Sequence, residues 1–151
     1  MEDKTITFNR KALHDFFIED SIEAGIVLTG TEIKSIRMGR VNIKDSYARP
    51  IGGELWLVNA HIAAYKEGNR YNHDPKRARK LLLNKREIRM LSSAVERKGL
   101  TLVPLKLYLK NGRAKLEIGL AKGKKKYDKR KTTLQRQAER EMDRIVKSKN
   151  R

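Results

Sequence analysis

With 151 residues, the chain has room for one domain with its own core plus an appendage. It carries 36 Lys and Arg against 18 Asp and Glu, a net charge of +18, and no cysteine, which excludes disulfides and Cys-ligated zinc. No apolar run approaches the roughly 20 residues of a membrane span, and the opening Met1-Glu2-Asp3-Lys4-Thr5 lacks the basic-then-apolar layout of a signal peptide. A cytoplasmic protein with no membrane partner is expected.

Residues 1–8 read as a short polar lead. Asn9 has the chemistry of an N-cap, and Ala12, Leu13, Phe16 and Phe17 fall on one face of a short first helix. Residues 18–28 predict a strand with a bulge or bend at Gly25. Thr29 and Glu32 form a capping box, so a second helix is expected over 30–38, stopped by Gly39. Val41, Ile43, Asp45, Tyr47 and Ile51 predict a second strand that turns at Gly52-Gly53 and returns through 55–58, with 62–65 able to extend it.

Residues 66–80 are different. Lys66, Arg70, Lys76, Arg77, Arg79 and Lys80 alternate with Tyr71, Asn72 and His73, and Pro75 blocks regular structure. A long basic loop carrying aromatic rings suits RNA, whose phosphates it can neutralise and whose bases it can stack on. Leu81-Leu82-Leu83 predicts a short strand. Asn84 and Glu87 repeat the capping logic ahead of the stripe Ile88, Leu91 and Val95, which predicts a third helix over 85–98 closed by Gly99. Two strands follow, joined at Asn111-Gly112, a strong hairpin signal.

Five strands with a helix between the third and fourth is the order of an OB-type antiparallel β-barrel. The expected fold is therefore mainly β with about three helices, the body spanning 1–123 and a basic tail spanning 124–151. Up to residue 120 there are 23 basic and 14 acidic residues; the last 31 residues hold 13 and 4, so each part carries +9. The strip Lys122, Lys124, Lys125, Lys126, Lys129, Arg130 and Lys131 is dense enough to attract a phosphate backbone by counterion release, and a basic body behind it points to nucleic acid. Leu134, Ala138, Met142 and Ile145 fall at helical spacing but too sparsely to fold alone, so the tail is expected to be disordered when free and helical on its partner. His14, His61 and His73 sit at no metal-ligand spacing, and no phosphate loop or nucleophile motif is present. Neither a cofactor nor catalysis is expected.

Three stretches resemble the SsrA-binding protein (small protein B, SmpB) family. They are Gly30-Thr31-Glu32-Ile33-Lys34-Ser35-Ile36-Arg37 with Asp45-Ser46-Tyr47, then residues 74–87, then residues 122–130. The resemblance implies a barrel that binds transfer-messenger RNA (tmRNA) and brings it to stalled ribosomes, as a monomer per RNA. The body would stand in for a missing anticodon arm, and the tail would enter the empty messenger channel at the small-subunit decoding centre. It also implies that Glu32, Leu81 and Asn84 support contact with the RNA; the basic residues expected to bind RNA with them are Lys34, Arg37, Arg77, Arg79, Lys80, Lys122, Lys124 and Lys125. Asp128, Lys129 and Arg130 would form the tail's first cluster, with Tyr127 able to stack on a base, and Ile145-Val146 an apolar pair near its end. Tyr127 stands where some relatives have His, and Ala138 where some have Trp. Glu32 has two readings: direct RNA contact, or a helix cap that shapes the binding surface. A structural ribosomal protein and a nucleic-acid enzyme are the competing functional classes.

Overall fold

Six strands close into a ring in the computed structural model, which describes residues 4–67 and 72–124. In chain order the elements are β1 (Lys4–Phe8), α1 (Arg10–Asp15), β2 (Phe16–Ile26), α2 (Gly30–Arg37), β3 (Val41–Asn42), β4 (Tyr47–Ile51), β5 (Glu54–Val58), β6 (His61–Ile62), β7 (Arg79–Leu82), α3 (Lys85–Lys98), β8 (Thr101–Lys110) and β9 (Arg113–Gly123). Hydrogen bonding runs β1-β8-β4-β5-β7-β2-β9, and β9 pairs back onto β8, so β8, β4, β5, β7, β2 and β9 form a closed antiparallel barrel. This is the expected OB-type architecture. It closes because β8 is long: its start meets β4 at Leu102, while Lys106 to Leu109 pair with β1.

The core follows from alternation. Leu55, Leu57, Leu81, Leu102, Leu107, Leu116 and Ile118 point inward from four strands and are at most 2 % exposed. Leu91 and Ala94 of α3 join the same cluster. That helix spans the expected residues: Asn84 and Glu87 exchange hydrogen bonds at its start, and Gly99, at φ 65°, supplies the left-handed stop.

Several expectations are corrected. The polar lead is strand β1, held by backbone pairing to β8 with only Ile6 packed on the core, so its sequence carries little apolar signal. Phe16 and Phe17 do not belong to α1; the chain turns extended at Phe16 and begins β2. The irregularity of β2 lies between Ile18 and Asp20, not at Gly25, which pairs in register with both Lys115 and Leu82. The strand expected from Val41 to Ile51 is broken at Asp45, whose φ of 62° makes a turn stabilised by the Ser46 hydroxyl donating to the Ile43 carbonyl at 2.5 Å. That break sends Val41–Asn42 away from the barrel to pair with His61–Ile62, so 62–65 do not extend β5. The expectations for the tail beyond Lys124, and for Arg70 and Tyr71, fall outside the described residues.

Candidate nucleic-acid interface

α2 begins with Thr29, whose hydroxyl accepts from the Glu32 N–H at 3.3 Å while Glu32 Oε1 accepts from the Thr29 N–H at 2.9 Å. This box turns the Glu32 carboxylate inward, where it is fully buried. Two arginines meet it. Arg77 Nη2 donates to Oε1 and Arg79 Nε donates to Oε2, each at 2.5 Å. Arg79 is fully buried too, and donates onward to the Ala60 carbonyl at 2.8 Å and the Pro75 carbonyl at 3.0 Å. Burial pushes the Glu32 carboxyl up, but the donors Arg77, Thr29 N–H and Arg79, with the Arg79 charge, outweigh it and hold the group below the usual carboxylate range. Burial also lowers Arg79, opposed by its bond to Glu32. The clamp ties α2, β7 and the basic loop before β7 into one unit.

The loop is fastened elsewhere as well. His73 Nε2 donates to the Ile62 carbonyl at 2.8 Å, since a carbonyl only accepts, and Nδ1 lies 2.8 Å from the Thr31 hydroxyl oxygen. Asn72 brackets Tyr65, accepting from its N–H at 3.0 Å and donating to its carbonyl. Lys34 lies 5.3 Å from the centre of the Tyr65 ring. Nothing in the residue types or spacing marked His73 or Asn72 for these roles.

The expected residues separate into groups. Glu32, Arg79 and Leu81 are buried. Lys34 and Arg37 project from α2 into solvent, Arg77 is half-exposed, and exposed Asn84 caps α3. Lys80 is paired with Glu54 at 3.0 Å. Of the three leucines, the middle one faces outward: Leu82 is 51 % exposed against 1 % for Leu81. Val27, 43 % exposed, follows Ile26, the direct partner of Leu81, so Val27 and Leu82 make an apolar patch beside Arg77, whose Nη2 lies 3.4 Å from the Val27 carbonyl. Sequence reading missed both residues. A run of three leucines has no alternation to show which one faces out, whereas pairing with β5 and β2 decides it.

Lys122 and Lys124 are not part of this cluster. They lie at the opposite end of β2, where Phe17 pairs with Lys122 and Phe16 with Gly123. The Lys124 ammonium donates to the Leu13 carbonyl at 3.3 Å and sits 5.1 Å from the Phe17 ring centre. Between Phe17 and Ile26 the strand covers about 30 Å at ~3.3 Å per residue. Lys125, Tyr127, Asp128, Lys129, Arg130, Ile145 and Val146 lie outside the described residues. Among the described residues no group of three His, Asp or Glu is placed to hold a metal ion, and no helix is long and apolar enough to cross a membrane.

The SmpB protein family matches residues 6–148. The chain belongs to the SmpB family. It is 59 % identical over 150 residues to the SsrA-binding protein of Halalkalibacterium halodurans, covering 99 % of this chain and 97 % of that one. The SsrA-binding protein of Oceanobacillus iheyensis is 63 % identical over 145 residues, 95 % and 94 % of the two chains. Among solved structures, a chain from "tmRNA-SmpB: a journey to the center of the bacterial ribosome" superposes with a TM-score of 0.66 at 54 % identity, over 78 % of this SmpB-family chain and 83 % of the other.

Proposed function

We propose that this SmpB-family chain binds transfer-messenger RNA through its barrel and delivers it to stalled bacterial ribosomes for trans-translation. The body, residues 1–123, replaces the anticodon arm of a transfer RNA; residues 124–151 enter the vacant messenger channel at the small-subunit decoding centre. The chain acts in the cytoplasm as one copy per RNA, as a binding protein and not as an enzyme, and needs no cofactor.

The observation that carries the reading is the surface built on the Glu32 clamp. A buried acid between two arginines fixes α2 against β7, and around it stand an apolar patch (Val27 and Leu82), the half-exposed Arg77 and the exposed Lys34, Arg37 and Asn84. Apolar side chains give an unpaired base or ribose a dry contact, and the cations meet the flanking phosphates. Glu32, Arg79 and Leu81 serve as positioning residues. Lys122, Lys124 and Lys125 begin a second function at the far end of β2, followed by the tail cluster Tyr127 to Arg130 and the pair Ile145-Val146.

The test compares the full chain with one truncated after Gly123, which keeps every barrel strand. Affinity for transfer-messenger RNA and for a same-length control RNA is measured across a salt series, alongside peptide tagging on ribosomes stalled without downstream message. The truncated chain is expected to keep the preference for transfer-messenger RNA and to lose tagging. Absence of any preference, with affinity vanishing along with the tail, would reduce the protein to a generic polycation and overturn the proposal.

A further inference from the structure

Three lysines of the barrel strands are ion-paired: Lys80 with Glu54 at 3.0 Å, Lys106 with Glu117 at 3.5 Å and Lys110 with Glu23 at 3.6 Å. On α3 the arginines form a row without such partners. Arg86, Arg89 and Arg97 are exposed, and among the described residues no ion pair or side-chain hydrogen bond engages any of them. At 100° per residue they fall within an arc of roughly 80°, on the side of the helix opposite buried Leu91, and span about 16 Å of its length. Ser93 lies between them on the same ridge. The helix has two acids. Glu87 is occupied by the Asn84 cap, and Glu96 has Ser92 and Ser93 one turn back, so it has no arginine at the spacing that makes a helical ion pair.

Past Met90 the surface drops into a hollow of about 400 Å³ between α3 and β2, lined by Glu19 and Asp20 of β2 and by Lys98 of α3. Those carboxylates repel phosphate. The other flank carries exposed Lys85 and exposed Glu96. The ridge also starts where the surface described above ends: β7 leads through exposed Leu82 and Asn84 directly to Arg86. Arginine rather than lysine, unpaired, in a line and continuous with a nucleic-acid surface, is the chemistry that grips a phosphate backbone.

We propose that Arg86, Arg89 and Arg97 extend the RNA site along the outer face of α3, each meeting a backbone phosphate of the same transfer-messenger RNA that the α2–β7 surface binds. The inference rests on the function proposed above and adds a contact set to it.

The experiment is equilibrium binding of the full chain across a salt series, with transfer-messenger RNA and a same-length control RNA as probes. Three variants are compared with the parent: R86Q/R89Q/R97Q; the charge-keeping R86K/R89K/R97K; and K4Q/R10Q/K44Q, which removes as much charge from exposed positions on β1, α1 and the turn before β4, none of which pairs with β2 or β7. Gln and Lys are good helix formers, so the helical circular dichroism of the α3 variants is expected to match the parent. Each lost phosphate contact removes about 0.7–0.9 from the slope of log affinity on log salt, so the α3 Gln variant should be shallower by about 2 units on transfer-messenger RNA. The Lys variant should stay within about half a unit of the parent, less than one lost contact. An unchanged slope in the α3 Gln variant, or an equal fall in the K4Q/R10Q/K44Q variant, would show that the stripe only adds to net charge and would overturn the inference. So would an equal fall on the control RNA. A parent chain that fails to prefer transfer-messenger RNA would instead overturn the function proposed above.

Discussion

Glu32 is an acid on a chain of net charge +18, and its carboxylate is closed off from solvent. Such a group is stable only while both arginines and the Thr29 N–H face it, because an unpaired charge in a dry site is costly. Replacing it by Gln keeps the shape but leaves Arg79 buried without a counter-charge, and is expected to cost about 3–5 kcal/mol, read from urea unfolding. The pH dependence has a definite sign. The folded carboxyl titrates below its ordinary value of 4.5, so its stabilising effect is fully present above that pH and is lost as pH falls through the lowered value. Unfolding free energy measured from pH 3 to pH 7 should therefore drop on the acid side for the parent and drop less for E32Q. Parallel curves would exclude Glu32 as the source. The neighbouring leucines separate stability from binding in the same way. Leu81→Ala empties a core position and should cost about 2–5 kcal/mol. Leu82→Ala removes an exposed side chain and should leave stability nearly unchanged while weakening RNA binding in an anisotropy titration.

At the scale of elements, β2 links the two ends of the molecule, and Gly25 is the point where it meets both β9 and β7. A Cβ at Gly25 would sit 3.1 Å from the Cβ of Leu82, closer than side chains normally pack, and Leu82 would have to move. Gly25→Ala is thus expected to disturb the apolar patch from beneath and lower RNA affinity by about tenfold, the equivalent of ~1.4 kcal/mol of lost contact. Asn84→Ala tests the neighbouring element; losing the cap of α3 should cost about 1 kcal/mol by thermal unfolding. The caps were legible in the sequence because their chemistry is local: Thr29 with Glu32, and Asn84 with Glu87, lie within one turn. The hairpin turns were legible for the same reason, since Gly52-Gly53 and Asn111-Gly112 adopt the positive φ angles those residues favour. What stayed hidden depends on distant partners. Lys4–Phe8 is a strand because β8 offers it an edge, and residues 41–51 break at Asp45 because Ile43 is also held by Asn9, 34 positions earlier. The candidate site divides along the same line. The basic residues were visible as charge, whereas the burial of Arg79 against Glu32, 47 positions away, and the outward face of Leu82 follow from how β7 docks.

For the whole molecule the proposed function implies a separation of tasks along one strand. The α2–β7 surface lies at the Ile26 end of β2, and Phe16 and Phe17, with Lys124 seated on the Phe17 ring and the α1 carbonyl of Leu13, lie at the other, about 30 Å away by strand geometry. Changes at the two ends should therefore affect different steps. Gly25→Ala should raise the RNA concentration needed for half-maximal peptide tagging and leave the maximal rate intact, because saturating RNA refills the weakened site. Phe17→Leu keeps an apolar side chain at this position of β2 but removes the ring beneath Lys124. It should leave affinity for transfer-messenger RNA within about twofold, under half a kcal/mol, and lower the maximal tagging rate on stalled ribosomes. Phe17→Tyr, which restores an aromatic face to the Lys124 ammonium, should recover that rate. If Phe17→Leu instead weakened RNA binding as much as Gly25→Ala, the two ends of β2 would be serving a single interface, and the barrel would not hold the messenger-channel function apart from the RNA site.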